Sequence, residues 1–162
     1  MSPRVSIVGM GRIGTLAARR LLAADPDIAL TLYDIEADRC EAFRGNATLA
    51  TSAREALAES DTIVLALPRE REIDRTLERF SDGQVTAPIA GKLIIDLDPP
   101  PADRMRQLDR AIASAGGTLC LRAVAGVRIG WRGGSLTGRA EPTGLTRAAA
   151  RRPPRTGRAT RG

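Results

Sequence analysis

The residues most able to do chemistry in this chain are three closely spaced glycines and one distant acid. Residues 9–14 read Gly9-Met10-Gly11-Arg12-Ile13-Gly14, and Asp34 lies 20 residues beyond Gly14. A GxGxxG hexamer carries little weight by itself in a chain with 16 glycines. Its setting gives it meaning, because it follows the β-branched run RVSIV at 4–8 and opens an amphipathic pattern from about 12 to 24. In that setting each glycine has a task. Gly9 permits a tight turn, Gly11 lets an anion approach the backbone with no Cβ in the way, and Gly14 lets the helix pack close to the strand. The helix N-terminus offers unpaired N–H groups and about half a positive charge. Phosphate is the anion such a cradle takes. Asp34, at the end of a second strand, is placed to accept hydrogen bonds from ribose hydroxyls. A dinucleotide site is therefore expected, with Gly9, Met10, Gly11, Arg12, Ile13, Gly14 and Asp34 as its binding residues. A carboxylate there repels a 2′-phosphate, and Ile35-Glu36 follow it where an arginine would suit one. NAD is thus expected in preference to NADP, although Arg39 is close enough to swing in. Leu67-Pro68, at the end of a fourth strand, complete the expected cofactor site.

Absences narrow the chemistry further. The chain has no histidine, and Lys92 is its only lysine. Histidine acid–base catalysis, a Ser-His-Asp triad and histidine-ligated metals are excluded. Cys40 and Cys120 are far apart and form no CxxC pair, so they read as two small thiols in or near the core. No metal site is expected, and no catalytic residue is assigned.

The elements that must position these residues alternate between strand and helix. Strands are expected at 4–8, 28–34, 47–51, 62–67, 93–97 and 118–125. Helices are expected at 12–24, 36–44, 52–59, 69–80 and 102–115. Ser52 with Glu55 three residues on reads as a capping box. TIVLAL at 62–67 and LIIDL at 93–97 are apolar almost throughout, which suits strands covered on both faces. The fold class is α/β: a doubly wound, mainly parallel, Rossmann-type sheet.

Charge divides the chain. Residues 1–138 hold 18 basic and 18 acidic side chains, while 139–162 hold seven arginines and one acid, Glu141. That tail is rich in Arg, Ala, Gly and Pro, with Leu145 its only large apolar residue. It cannot bury enough surface to offset chain entropy. The expected organisation is a dinucleotide-binding domain over 1–138 and a disordered basic tail over 139–162. No apolar run approaches the ~20 residues of a membrane span, and the N-terminus has no signal-peptide layout. A cytoplasmic protein is expected.

The chain resembles the β-hydroxyacid dehydrogenase family, which includes 3-hydroxyisobutyrate dehydrogenase, tartronate semialdehyde reductase and the cofactor domain of 6-phosphogluconate dehydrogenase. The resemblance rests on IVGMGRIG at 7–14, YD at 33–34, NATLATSAREALAESDTIVLALP at 46–68 and LIIDLD at 93–98. It covers about residues 4–137 and implies a cofactor domain for NAD or NADP. Departures concern the substrate. The family's D-x-S-T after the fifth strand is Asp96-Leu97-Asp98-Pro99 here. Its substrate loop corresponds to Leu121-Arg122-Ala123-Val124-Ala125-Gly126-Val127, with Ala125 in place of a serine. The family continues into a helical domain that supplies a catalytic lysine and closes the active site, and Lys92 precedes the fifth strand and cannot be that lysine. Imine reductases of related architecture lack the lysine but keep the helical domain. The expectation is a truncated, catalytically incomplete oxidoreductase domain, accepting a small hydroxy- or keto-acid only if a helical domain is supplied. GC-rich codons underlie Arg, Ala, Gly and Pro, so an out-of-frame tail is favoured over a natural one.

Two other readings stand beside this one. Ala125-Gly126 followed by Gly130-Trp131 faintly resembles a prephenate dehydrogenase loop, although that family's histidine is absent. The arginines of the tail could bind nucleic acid or another acidic surface through phosphate neutralisation. With no aromatic residue there for base stacking, only weak, nonspecific nucleic-acid binding is expected. Apolar surface left bare by a missing helical domain predicts self-association.

Overall fold

The computed structural model describes residues 2–121 together with 131–132 and 135–136. Six strands form one sheet in the order β3-β2-β1-β4-β5-β6, all parallel. They are β1 (Arg4–Val8), β2 (Ala29–Tyr33), β3 (Thr48–Leu49), β4 (Thr62–Leu65), β5 (Leu93–Asp96) and β6 (Thr118–Leu121). The helices are α1 (Arg12–Ala24), α2 (Ala53–Ala58), α3 (Glu70–Thr76) and α4 (Ala102–Ser114), with a 3-10 helix at Ala37–Phe43. A short antiparallel pair, β7 (Trp131–Arg132) and β8 (Ser135–Leu136), follows. The doubly wound α/β expectation is met, and the first sheet is wholly parallel. The tail at 139–162 lies outside the described residues.

Strand alternation divides the core in two. Val5, Ile7, Leu30, Leu32 and Val64 point to one face, where they meet Ala17, Ala18 and Leu21 of α1 and Cys40 and Phe43 of the 3-10 helix. Val8, Ile63, Leu65 and Ile94 point to the other, against Ala56 and Leu57 of α2, Ile73 of α3, and Leu108 and Ile112 of α4. The buried face of α1 follows the helical period at Gly14, Ala17, Ala18 and Leu21. A buried serine pair inside this core is satisfied, since the Ser60 hydroxyl donates to Ala56 O at 3.0 Å and its Oγ lies within hydrogen-bond distance of the Ser6 hydroxyl at 2.9 Å.

The short helix expected at 36–44 is present as a 3-10 helix over Ala37–Phe43. One local expectation is corrected. The cap of α2 is only half a capping box. Ser52 Oγ accepts from the Glu55 N–H at 3.1 Å, but the Glu55 carboxylate accepts from Thr51 N–H at 2.7 Å instead of the Ser52 N–H. The Thr51 hydroxyl also donates to it, at 2.6 Å, so the longer reach gains a second donor.

Lys92 ends α2 from the other side. Its ammonium donates to the carbonyls of Leu57 and Ala58, two of the carbonyls a helix C-terminus leaves open. The side chain is therefore spent at the N-terminal edge of β5, at the opposite end of the sheet from the glycine motif. Among the described residues, no helix is long and apolar enough to cross a membrane.

Candidate cofactor site

Strand order reverses between β1 and β4, and the crevice outside the C-terminal ends of such strands is where open α/β sheets bind ligands. A cleft of about 250 Å³ lies there. Gly9 and Gly11 form its floor after β1, Asp34 and Ile35 its side after β2, and Leu67 and Pro68 its edge after β4. It is smaller than the ~300–1,000 Å³ of a typical small-ligand pocket.

The three glycines sit in three different local environments. Gly9 has φ +95°, and a Cβ on it would meet Ala66 O at 2.5 Å. Neither the backbone nor the space admits another residue. A Cβ on Gly14 would lie 1.8 Å from the Gly9 carbonyl oxygen, so α1 crosses β1 too closely for any side chain. Gly11 differs. Its φ is −72°, and a Cβ there would meet nothing within 4 Å. Nothing in the fold requires a glycine at 11.

The helix behind Gly11 is prepared in the same sense. α1 has no side-chain cap on its first turn and no acidic residue in it. Its leading N–H groups are left open at the positive end of the helix dipole, beside the space that a Cβ on Gly11 would fill. Uncapped donors, a bare backbone and a crevice suit a diphosphate. The residues present thus fit a dinucleotide.

Asp34 is buried and already engaged. Oδ2 accepts the Met10 N–H at 2.7 Å, and Oδ1 accepts the Glu36 N–H at 2.8 Å. The carboxylate thus ties the glycine loop to the end of β2, while each oxygen keeps a second lone pair for a ribose hydroxyl. Cys40 lies beneath it, and burial followed by the Asp34 charge pushes its thiol up, away from the reactive thiolate.

Of the residues expected in the site, Gly9, Gly11, Asp34, Leu67 and Pro68 line the cleft. Met10 is buried in the core and takes part through its N–H. Ile13 packs beside the α1-side core, Gly14 sits under Gly9, and Arg12 is exposed at the start of α1. Sequence reasoning missed Ile35 as a wall, although an apolar residue 73% exposed beside a buried acid is the kind of surface a base would cover. It also missed Glu72, Arg75 and Thr76 of α3, which line the far side. Nothing local marks those three, because α3 reaches the cleft only through the β4 crossover. Arg39 lines the cleft with its guanidinium 3.7 Å from Asp34 Oδ2.

Asp96, at the C-terminal end of β5, is fully buried. Oδ1 accepts the Asp98 N–H at 3.0 Å, and Oδ2 has no partner. Burial first, and the nearby Asp98 charge after it, push the carboxyl up from its usual range, against the opposing Asp98 N–H bond.

Solved structures share this fold. The chain is 21% identical to an imine reductase from Myxococcus stipitatus in complex with NADP+, with a TM-score of 0.66, covering 75% of this chain and 40% of that one. A V8 variant of the Myxococcus stipitatus imine reductase, in complex with NAD+, is 23% identical with a TM-score of 0.66, covering 76% and 41%. An imine reductase from Aspergillus terreus, in complex with NADPH4 and dibenz[c,e]azepine, is 25% identical with a TM-score of 0.60, covering 76% and 40%. The chain thus spans about 40% of the length of these structures. No curated protein matches the sequence. Residues 4–140 match the family model for the NAD binding domain of 6-phosphogluconate dehydrogenase. The open cradle at Gly11, the uncapped α1 and the crevice at the strand reversal agree with that match, and the chain belongs to this family of NAD-binding domains.

Proposed function

We propose that this chain holds NAD, in preference to NADP, through Gly9–Gly14, Asp34 and Leu67-Pro68, and acts as the cofactor half of an oxidoreductase. Gly11 carries the reading, a glycine with ordinary φ and open space where its Cβ would be. The Gly11 backbone and the leading N–H groups of α1 bind the pyrophosphate. Asp34 accepts from the adenine ribose and keeps the glycine loop in place. Ile35 on one wall and Leu67-Pro68 on the other exclude water from the base. The dinucleotide, when bound, supplies a hydride acceptor or donor.

Hydride transfer also needs a substrate held about 3–3.5 Å from the nicotinamide. The 40% share of its relatives' length and the commitment of Lys92 to the end of α2 support a chain that binds cofactor but does not turn over substrate by itself. A substrate half, from further chain or a partner chain, would bring a small hydroxy- or keto-acid to the cleft. Self-association fits the same picture. Leu93, Ile95 and Cys120 share one face of β5 and β6 and are only partly buried.

Calorimetric titration with NADH and with NADPH, alongside Gly11→Asp, tests the reading. The expected result is saturable binding, tighter for NADH, that the variant abolishes by placing a side chain and a negative charge where the pyrophosphate sits. A folded protein that binds neither dinucleotide would sink the proposal.

A further inference from the structure

The ribose end of the cleft contains more charge than Asp34. Arg39 lines the cleft, with Nη1 3.7 Å from Asp34 Oδ2. Its Nη2 donates to Glu36 Oε1 at 2.9 Å. Asp34 is held in place by two backbone N–H groups and cannot follow a moving partner. Glu36 and Arg39 are different, since their side chains are 63% and 46% exposed and their pairing is a weak surface one. One guanidinium thus faces two carboxylates, leaving a net charge of −1 beside the ribose position. A second pair, Glu41–Arg44, repeats the spacing on the same 3-10 helix but does not line the cleft.

We propose that Glu36 is a positioning residue for cofactor selectivity: it holds Arg39 in a neutralised pair beside Asp34 and so keeps the cleft set for a 2′-hydroxyl instead of a 2′-phosphate. The inference rests on the dinucleotide reading above and adds the residue that decides between the two cofactors. A hydroxyl can donate to Asp34 with Arg39 left where it is. A 2′-phosphate brings further negative charge against a net negative corner, and the guanidinium beside Asp34 is already shared between two acids. Removing the Glu36 charge leaves Arg39 opposite Asp34 alone and frees part of its donor fork, whose planar geometry matches phosphate oxygens.

The experiment is titration of the whole chain with NADH and NADPH, comparing wild type with Glu36→Gln, Arg39→Ala, the double variant and Glu41→Gln. E36Q is expected to move the affinity ratio toward NADPH by on the order of three- to tenfold, less at high salt. R39A is expected to move it the other way. The double variant should lose the E36Q shift, because that shift acts through Arg39. E41Q makes the same charge change on the neighbouring pair and should leave the ratio at its wild-type value. If E36Q leaves the ratio unchanged, or E41Q moves it as far, the inference is overturned while the dinucleotide reading stands. If wild type binds neither dinucleotide, both fall.

Discussion

Gly11 and Gly14 are three residues apart in one motif, yet a side chain would meet entirely different surroundings at each. At Gly14 the requirement is internal, because a methyl group would overlap the Gly9 carbonyl at 1.8 Å. Gly14→Ala should cost about 3 kcal/mol of stability or more, since neither backbone can move without opening the β1–α1 contact. At Gly11 the fold tolerates a side chain. Gly11→Ala should change stability by less than about 1 kcal/mol, because restriction of the unfolded chain is opposed by the loss of a preferred N-cap residue. It should also weaken dinucleotide binding about tenfold or more, equivalent to 1.4 kcal/mol. Chemical denaturation and calorimetry on the two variants check this. A G11A protein that binds as well as wild type would mean that nothing approaches the backbone at residue 11.

At the scale of elements, the C-terminal ends of the parallel strands hold the acids that matter, and they are solvated differently. Asp34 at the end of β2 has two N–H donors. Asp96 at the end of β5 is fully buried with one oxygen unpartnered. Burial raises the Asp96 pKa in the folded state above its unfolded value, so the folded state holds the proton more tightly. This contribution to stability is fully present below the ordinary carboxylate range and is lost as pH rises through the raised folded value. Asp96→Asn removes the charge and keeps an oxygen for the Asp98 N–H. The variant should gain about 1 kcal/mol or more over wild type near neutral pH, and the gap should close on acidification. Urea denaturation across the acid range measures it. A wild type–variant gap that is flat with pH would show that Asp96 does not titrate differently on folding.

At the scale of the whole molecule, the described residues that line the cleft lie between Val8 and Thr76. The net charge, by contrast, belongs to residues 139–162. We expect the two to be independent. Deleting 139–162 should leave NADH affinity within about twofold of wild type at physiological salt, where charges beyond roughly 8 Å are largely screened. Calorimetry on the shortened chain tests this, and a larger loss would assign the tail a part in cofactor binding.

Much of this protein was determined along the chain itself. The strand–glycine–helix succession, the apolar runs at β4 and β5 and the alternation of elements are local patterns, and the sheet they predict is the sheet observed. The tasks expected of Gly9 and Gly14 also follow from local geometry, since turn and crossing are set by a few adjacent residues. Tertiary structure decided what depends on distant residues meeting. It linked Asp34 to the Met10 N–H, 24 positions away. It brought α3 to the far wall of the cleft. It also spent Lys92 on the carbonyls of α2. A side chain's partner is whichever donor or acceptor the packed fold leaves within reach. Residue spacing places a charged group on an element, and only the assembled layers determine which other charge it faces.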